Sequence, residues 1–147
     1  MSTSTGLPTV EWLTRLAEIN KADLTEFRKL GEIDCRLAID IIDGGPDGSA
    51  LIVQITFDGF DVSEIKEISQ DELESMDFVM ETDRDSWLGM VDNIRTGGGR
   101  PDLDHTLNAL SIASTPIRVW SSDPLGRDMF FRYNQSLQHF INNSARL

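Results

Sequence analysis

Two segments with alternating apolar residues, separated by a glycine-rich turn, constrain the fold of this chain more than any other feature of its sequence. Residues 33–41 carry an apolar side chain at every second position, which is the period of a strand with one buried face. Residues 44–48 supply the glycines and the proline of a turn, and alternation resumes over Leu51–Phe57. A shorter run, Phe60–Lys66, follows an Asp-Gly pair. The spacing predicts three antiparallel strands in a meander.

Helical periodicity and capping residues account for most of the remaining chain. Apolar residues recur at three- and four-residue steps over 9–30, between a capping Thr9 and a terminating Gly31, which predicts one helix or two broken near Asn20. A capping box predicts a short helix that begins at Ser69. The other predicted elements are a strand at 78–82, a capped helix at 83–96, a helix at 102–110, a strand at 115–121, and a final helix with Asp123 as N-cap and Pro124 as its first residue.

The composition of the chain is typical of one acidic domain. The chain has 147 residues, with 13 Lys and Arg against 25 Asp and Glu, a formal net charge of −12, and 39% apolar residues. This length suits a single core, so we predict one domain over 9–147 after a flexible tail at 1–8. Because nucleic acids are held largely by cations that neutralise phosphates, the charge argues against DNA and RNA as partners. No apolar run approaches the roughly 20 residues that cross a bilayer.

The single cysteine favours a reducing compartment. Cys35 has no second cysteine with which to form an internal disulfide. It falls on the apolar face of the first predicted strand, where it suits a small core residue better than a nucleophile. Residues 1–8 lack a basic region followed by an apolar stretch, so we expect no secretory leader. Together these features predict a cytoplasmic protein.

The residues that could carry chemistry form no convincing catalytic set. His105 follows Asp102 and Asp104, but only position 102 shares its helix face, whereas a catalytic zinc site needs three protein ligands. An Asp three residues before a His near a helix start is better explained as a cap. We therefore predict no catalytic residue, no metal and no cofactor. An enzyme that acts on a hydrophobic substrate, with His105 or a carboxylate as base, remains the less favoured alternative.

The last third of the chain has more apolar side chains than one packing face requires. Phe130 and Phe131 are adjacent, so they point about 100° apart on a helix and widen its apolar arc. Such an excess lines a cavity or forms a partner surface. Both interpretations stay open at this point.

The order of elements resembles that of the sterol carrier protein 2 family. Residues 37–60 (LAIDIIDGGPDGSALIVQITFDGF) are similar to its alternating strand, Gly/Asp-rich turn, second strand and Asp-Gly step into a third. Residues 78–94 resemble its strand and capped helix, and residues 107–125 resemble its helix, final strand and step into the last helix. The likeness spans about residues 33–145. It implies an α+β fold with a five-stranded, mostly antiparallel sheet covered by helices around an apolar tunnel.

The resemblance also implies what such a tunnel does. It implies non-enzymatic binding or carrying of a lipophilic small molecule, such as a sterol or a fatty acid, between the sheet and the later helices. The residues that we expect to line this tunnel are Trp87, Met90, Leu107, Leu110, Trp120, Phe130, Phe131 and Tyr133. An alternative is a homodimer, or an accessory subunit of a metabolic enzyme, in which Phe130 and Phe131 form a protein interface.

Overall fold

The predicted meander is present at the centre of the fold. The structure, a computed structural model, describes residues 6–112 and 116–147. Its helices and strands, in chain order, are α1 (Val10–Ala22), α2 (Thr25–Lys29), β1 (Ile33–Ile41), β2 (Leu51–Gly59), β3 (Asp61–Glu67), β4 (Phe78–Thr82), α3 (Arg84–Thr96), α4 (Leu107–Ser111), β5 (Arg118–Trp120) and α5 (Gly126–Asn142). Short 3₁₀ turns cover Pro46–Gly48, Gln70–Ser75, Leu103–His105 and Asn143–Arg146.

The five strands form one mixed sheet in the order β3-β2-β1-β4-β5. β1 pairs antiparallel with β2 along nine residues, and β2 pairs antiparallel with β3. β4 lies parallel to β1, and β5 pairs antiparallel with β4. The prediction of a five-stranded, mostly antiparallel sheet is confirmed. The parallel pair requires the chain to cross the sheet between β3 and β4, and the crossover contains the 3₁₀ turn Gln70–Ser75.

The two faces of the sheet have separate apolar cores. On one face, which we call the helix face, strand residues such as Leu37 and Phe78 pack with Leu13, Trp87 and Phe140 from the helices. The opposite face, which we call the crossover face, has a smaller cluster in which crossover residues cover the sheet; its buried members are Ala38, Ile52, Leu73, Met76 and Val79. The crossover therefore gives the sheet a second apolar layer.

The crossover changes the expected burial of β1. Strict alternation predicted a half-buried strand, and residues 33–36 do alternate between buried and exposed. From Leu37 to Ile41, however, every residue is buried, because Leu73 and Met76 pack on the crossover face over Ala38. The half-buried interpretation was therefore wrong for the second half of β1. Asp40 is buried as a consequence.

Several predicted helix ends are confirmed by hydrogen bonds. The Thr9 hydroxyl accepts from the Trp12 amide at 3.1 Å, and Asp83 accepts from the Ser86 amide at 3.0 Å. The first helical segment is broken at Asp23 and Leu24 into α1 and α2, close to the predicted break. Gly31 follows α2 with a φ of 94°, a backbone conformation that favours glycine after a helix end.

Two helices differ from their predicted bounds. The segment 102–110 is not one helix, because Thr106 is extended, with ψ 157°, and caps α4 through the Ala109 amide at 3.1 Å. Leu103 is consequently 87% exposed rather than aligned with Leu107. The last helix begins at Gly126 instead of directly after Asp123, whose carboxylate accepts from the Leu125 amide at 2.9 Å within a turn.

The N-terminal boundary of the domain also lies earlier than predicted. Residues 1–5 and 113–115 lie outside the described residues, so the proposed tail is described only at 6–8, and the start of the last predicted strand is not described. Leu7 is buried in the core on the helix face, and the Trp87 indole Nε1 donates to the Gly6 carbonyl at 2.6 Å. The expectation of a flexible tail was therefore wrong for Gly6 and Leu7, because these residues close over α3.

Candidate functional site

The eight predicted tunnel residues are distributed over three environments. Trp87, Met90, Leu107 and Phe130 are at most 1% exposed and belong to the core of the helix face. Leu110 and Tyr133 are half-buried and pack against the same core. Phe131 is 40% exposed on α5, and Trp120 packs against the cluster on the crossover face. Trp120 therefore lies on the crossover face of the sheet and does not line a common cavity with the other seven residues.

The buried members of this set are packed closely against their neighbours. The Phe130 ring makes edge contacts with Phe78 at 5.7 Å and with Phe131 at 5.2 Å between ring centroids. Trp87 makes an edge contact with Trp12 at 6.2 Å. The Arg127 guanidinium lies 5.7 Å from the Phe131 ring centroid. Phe130 and Phe131 of the predicted tunnel thus contact each other, and Phe130 and Trp87 also contact aromatic residues outside the predicted set.

A cleft lies at the other end of the helix face, between α1 and β3. Its volume is about 540 Å³, within the roughly 300–1,000 Å³ typical of small-molecule sites. We call it the α1–β3 cleft. Its apolar lining comes from Ala17 on α1 and from Phe60, Val62 and Ile65. Its polar lining residues are Thr14, Glu18, Asn20, Lys21, Asp58, Asp61, Ser63 and Glu64.

A bulge in β3 explains why alternation did not predict this cleft. Val62 and Ile65 are three residues apart, so in a regular strand they would point to opposite faces. The register shifts by one residue beside Thr56 and Phe57. Val62 then pairs with Phe57 and Ile65 with Ile55, and both side chains pack against the core of the helix face. The hydrophobic pattern of β3 alone carries no sign of this bulge.

The floor of the α1–β3 cleft is continuous with the main core. The Phe60 ring makes an edge contact with Phe27 of α2, with ring centroids 6.5 Å apart. The neighbouring Phe57 makes a similar contact with Phe140 of α5 at 5.3 Å. The Arg28 guanidinium lies 5.3 Å from the Phe60 ring centroid. The apolar surface thus extends from the cleft toward the core between the sheet and α5.

A second cleft is smaller and lies where α5 begins. Its volume is about 230 Å³, and it is lined mainly by the chain before β4 and the chain before α5, including Met76, Asp77, Leu125 and Met129. This volume is below the usual range for small-molecule sites. Gly126 belongs to the same lining and is buried beside the Asp77 carbonyl and the Ser121 side chain.

His105 is held by a hydrogen bond that also serves a structural role. Its Nδ1 lies 2.6 Å from Asp102 Oδ1, and that same carboxylate caps the 3₁₀ turn through the Asp104 amide at 3.1 Å. The hydrogen bond from His105, followed by one from Asn93, lowers the pKa of Asp102. Both side chains are exposed. Within residues 6–112 and 116–147 the second ring nitrogen of His105 has no hydrogen-bond partner, so the pair fits the predicted capping role.

Asp40 is a buried carboxylate that the sequence did not single out. It lies on β1 with Ile52 of β2 and Glu81 of β4 as its register partners. Its Oδ1 has no hydrogen-bond partner among the described residues. Burial, with a smaller contribution from the charge of Glu81, raises the pKa of Asp40 to about 6. Glu81 itself accepts from Arg118 at 3.1 Å, which leaves Asp40 without a compensating cation in the described part of the chain.

Cys35 occupies the predicted core position. It is buried on the helix face, and burial raises the pKa of its thiol to about 12, with smaller contributions from the charges of Asp77 and Asp34. The thiolate is the nucleophilic and metal-binding form. At neutral pH this side chain therefore behaves as a small apolar residue.

Neither a metal centre nor a membrane span is visible in the residues that the structure describes. Within 6–112 and 116–147, no three His, Cys, Asp or Glu side chains are grouped to hold a metal ion. Over the same residues, none of the helices combines the length and the apolar character that crossing a membrane requires.

The five-stranded mixed sheet, with its helices on one face, defines an α+β domain with the sterol carrier protein 2 fold. The crystal structure of sterol carrier protein 2 matches with a TM-score of 0.68 at 14% identity, over 96% of this chain and 98% of that chain. A solution structure from Thermus thermophilus, of a conserved hypothetical protein described as a possible sterol carrier protein, matches with a TM-score of 0.64 at 15% identity. That match covers 99% of this chain and 92% of that one.

Comparisons based on sequence find no relative. No family model matches the chain, and no curated protein matches it. At 14–15% identity the structural likeness establishes the fold alone. The predicted sterol carrier protein 2-like fold is therefore confirmed.

Proposed function

We propose that this protein binds and carries a lipophilic small molecule without changing it chemically. The observation that carries the proposal is the cleft of about 540 Å³ on the helix face, in a fold shared over nearly the whole chain with a structure named sterol carrier protein 2. The cleft combines an apolar floor with a polar rim, which is the usual arrangement of a small-molecule site. The enzymatic alternative has less support, because His105 is engaged as part of an exposed cap.

The α1–β3 cleft is the mouth of the proposed site. An apolar tail placed over Phe60, Val62 and Ile65 is removed from water, and apolar burial contributes about 25 cal/mol per Å² before ordering costs. From there the continuous apolar surface leads toward Phe57 and Phe140. A longer ligand extends in this direction, between the sheet and α5.

Four of the predicted tunnel residues form the inner wall in this proposal. Trp87, Met90, Leu107 and Phe130 are almost completely buried by their neighbours, so a tail reaches them only when side chains between the sheet and α5 move apart. Methionine suits such a wall because its flexible side chain adapts to different shapes. We thus expect short apolar ligands to occupy the cleft alone and long ones to displace the inner side chains.

A substitution that fills the α1–β3 cleft tests whether the ligand binds there. The substitution Ala17→Trp places a large ring in the cleft from the partly buried side of α1, and we expect binding of a neutral apolar probe such as decan-1-ol to weaken at least about tenfold, since the ring occupies ligand volume. Isothermal titration calorimetry measures the affinity, and thermal unfolding verifies that the variant is folded.

The matched control introduces the same residue on the same helix. Ala22 is exposed at the end of α1 and does not line the cleft, so Ala22→Trp leaves the affinity unchanged. Equal affinity in a folded Ala17→Trp variant and in the wild type would show that the ligand does not use this cleft.

A further inference from the structure

We propose that strand β3 pairs with β3 of a second copy of this chain, so that two five-stranded sheets join into one. β3 forms one edge of the sheet, because β2 is its single neighbour among the described strands. Three features of this edge point to a second copy: its free backbone groups, its pattern of charges and a half-buried isoleucine between those charges.

The backbone groups of β3 that face away from β2 belong to Ile65 and Glu67. The Ile68 amide donates to the Ile52 carbonyl at 3.1 Å, and these two residues continue the register of the ladder. Hydrogen-bonded pairs alternate along an antiparallel ladder, so Lys66 turns its backbone groups toward β2, whereas Ile65 and Glu67 turn theirs outward. Within 6–112 and 116–147, neither outward residue has a backbone hydrogen bond to an element other than β2. Such an edge is a template for another strand.

The charges of β3 select one symmetric pairing. After the bulge, β3 pairs regularly with β2 over residues 64–67. When the two-fold axis passes Ile65, Glu64 of each copy faces Lys66 of the other. An axis at Glu64, Lys66 or Glu67 instead places like charges opposite each other, which destabilises a strand pair. Ile65 is therefore the one centre in this segment at which opposite charges meet.

The same charges form a network in the paired strands. A lysine on an edge strand usually prevents pairing with another chain, but here a glutamate stands at the position that faces it. Within one chain, Lys66 Nζ lies 3.7 Å from Glu64 Oε2, and both side chains are about half exposed. In the dimer each lysine thus lies beside one glutamate of its own chain and opposite one of the other. A network of this kind contributes more than an isolated surface ion pair.

The apolar side chain at the axis adds to the contact. Ile65 is half-buried and packs against the core of the helix face. Residues directly opposite each other in an antiparallel pair have Cβ atoms about 4.5–5.5 Å apart, so the two Ile65 side chains contact each other and lose exposed apolar surface. Because Ile65 also lines the α1–β3 cleft, the clefts of the two copies become neighbours.

The size of the contact predicts a reversible dimer. One pair of strands buries less than the roughly 1,200–2,000 Å² of stable interfaces. Sedimentation velocity over about 5 to 500 µM protein should therefore show a sedimentation coefficient that rises with concentration. The buffer contains about 0.15 M NaCl, which screens the long-range repulsion between two copies of net charge −12.

Reversal of the paired charges tests the register. Lys66→Glu and Glu64→Lys each place like charges opposite each other, and we expect each to weaken dimerisation at least about tenfold. The double variant with both substitutions restores opposite charges, so its affinity should return to within about threefold of the wild type. Lys29→Glu makes the same change of charge on the exposed surface of α2 and leaves dimerisation unchanged.

A proline at the edge tests the backbone pairing. Glu67→Pro removes an amide that points away from β2, and edge strands tolerate proline at such positions. We expect this variant to stay folded, as thermal unfolding verifies, and to dimerise at least about tenfold more weakly.

The outcomes distinguish the proposed interface from others. A protein that stays monomeric at every concentration would overturn the proposal. A dimer that tolerates Lys66→Glu and Glu67→Pro uses another surface, and one that dissociates with Phe131→Ser, at the 40% exposed aromatic residue of α5, lies there instead. A double charge variant that dimerises as weakly as the single ones would show that the proposed register is wrong.

Discussion

Replacing Gly126 by Ala lowers the free energy of unfolding by about 3 kcal/mol, at the upper end of the usual cost of overpacking. Gly126 is the first residue of α5, and a Cβ at this position would overlap the Asp77 carbonyl oxygen and the Ser121 side chain. Two backbone segments approach each other so closely that only a residue without a side chain fits. The variant therefore displaces the start of α5 from the sheet.

Urea unfolding of Gly126→Ala beside Gly89→Ala measures this effect. Gly89 is also helical, in α3, but a Cβ there would meet nothing within 4 Å. Because alanine is the better helix former, Gly89→Ala should leave stability unchanged or raise it by up to about 1 kcal/mol. Equal stability of the two variants would contradict the close approach at Gly126.

Replacing Asp40 by Asn stabilises the protein at neutral pH, by up to about 3 kcal/mol for a carboxyl whose pKa is raised from 3.8 to about 6. The folded protein binds the Asp40 proton more tightly than the unfolded chain does. Ionisation of Asp40 therefore does not lower the free energy of unfolding below about pH 4. As the pH rises to about 6, ionisation lowers this free energy progressively, and above that value the loss stays constant. The variant removes this cost.

The measurement is the difference in unfolding free energy between Asp40→Asn and the wild type at about pH 4, 5, 6 and 7.5. The advantage of the variant should be small at the lowest pH and largest at the highest. Asp92→Asn, at an exposed carboxylate of α3, controls for the loss of one negative charge and should not show this rise. A difference that is independent of pH, or a less stable Asp40→Asn variant, would contradict the account of Asp40 as a buried, uncompensated charge.

The strands could be predicted from sequence because each of them has one face on the main core. The alternation over residues 33–41 identified β1 with its observed bounds, and turn residues separated it from β2. The cover on the crossover face could not be predicted in this way. It depends on Leu73 and Met76, which come from a connection that crosses the sheet, and no local pattern records such a long-range contact. The burial of Asp40 was missed for the same reason.

The candidate site was less predictable than the fold. The apolar excess at Trp87, Met90 and Phe130 is real, but these side chains fill the core of the helix face. The open volume lies instead beside β3, where a bulge brings Val62 and Ile65 to the same face. Bulges depend on pairing between strands, so the periodicity of one strand cannot reveal them. Similarly, the extended Thr106 that divides the segment 102–110 has no counterpart in the hydrophobic pattern.

Native mass spectrometry tests the central claim most directly, on the protein purified from its own host without detergent. We expect a discrete adduct that organic extraction removes. The extracted ligand should keep its mass when it is incubated with the protein again. The adduct should be weaker with Ala17→Trp than with Ala22→Trp. A protein that carries no apolar molecule and whose melting temperature is unaffected by decan-1-ol, fatty acids or sterols would contradict the proposed function.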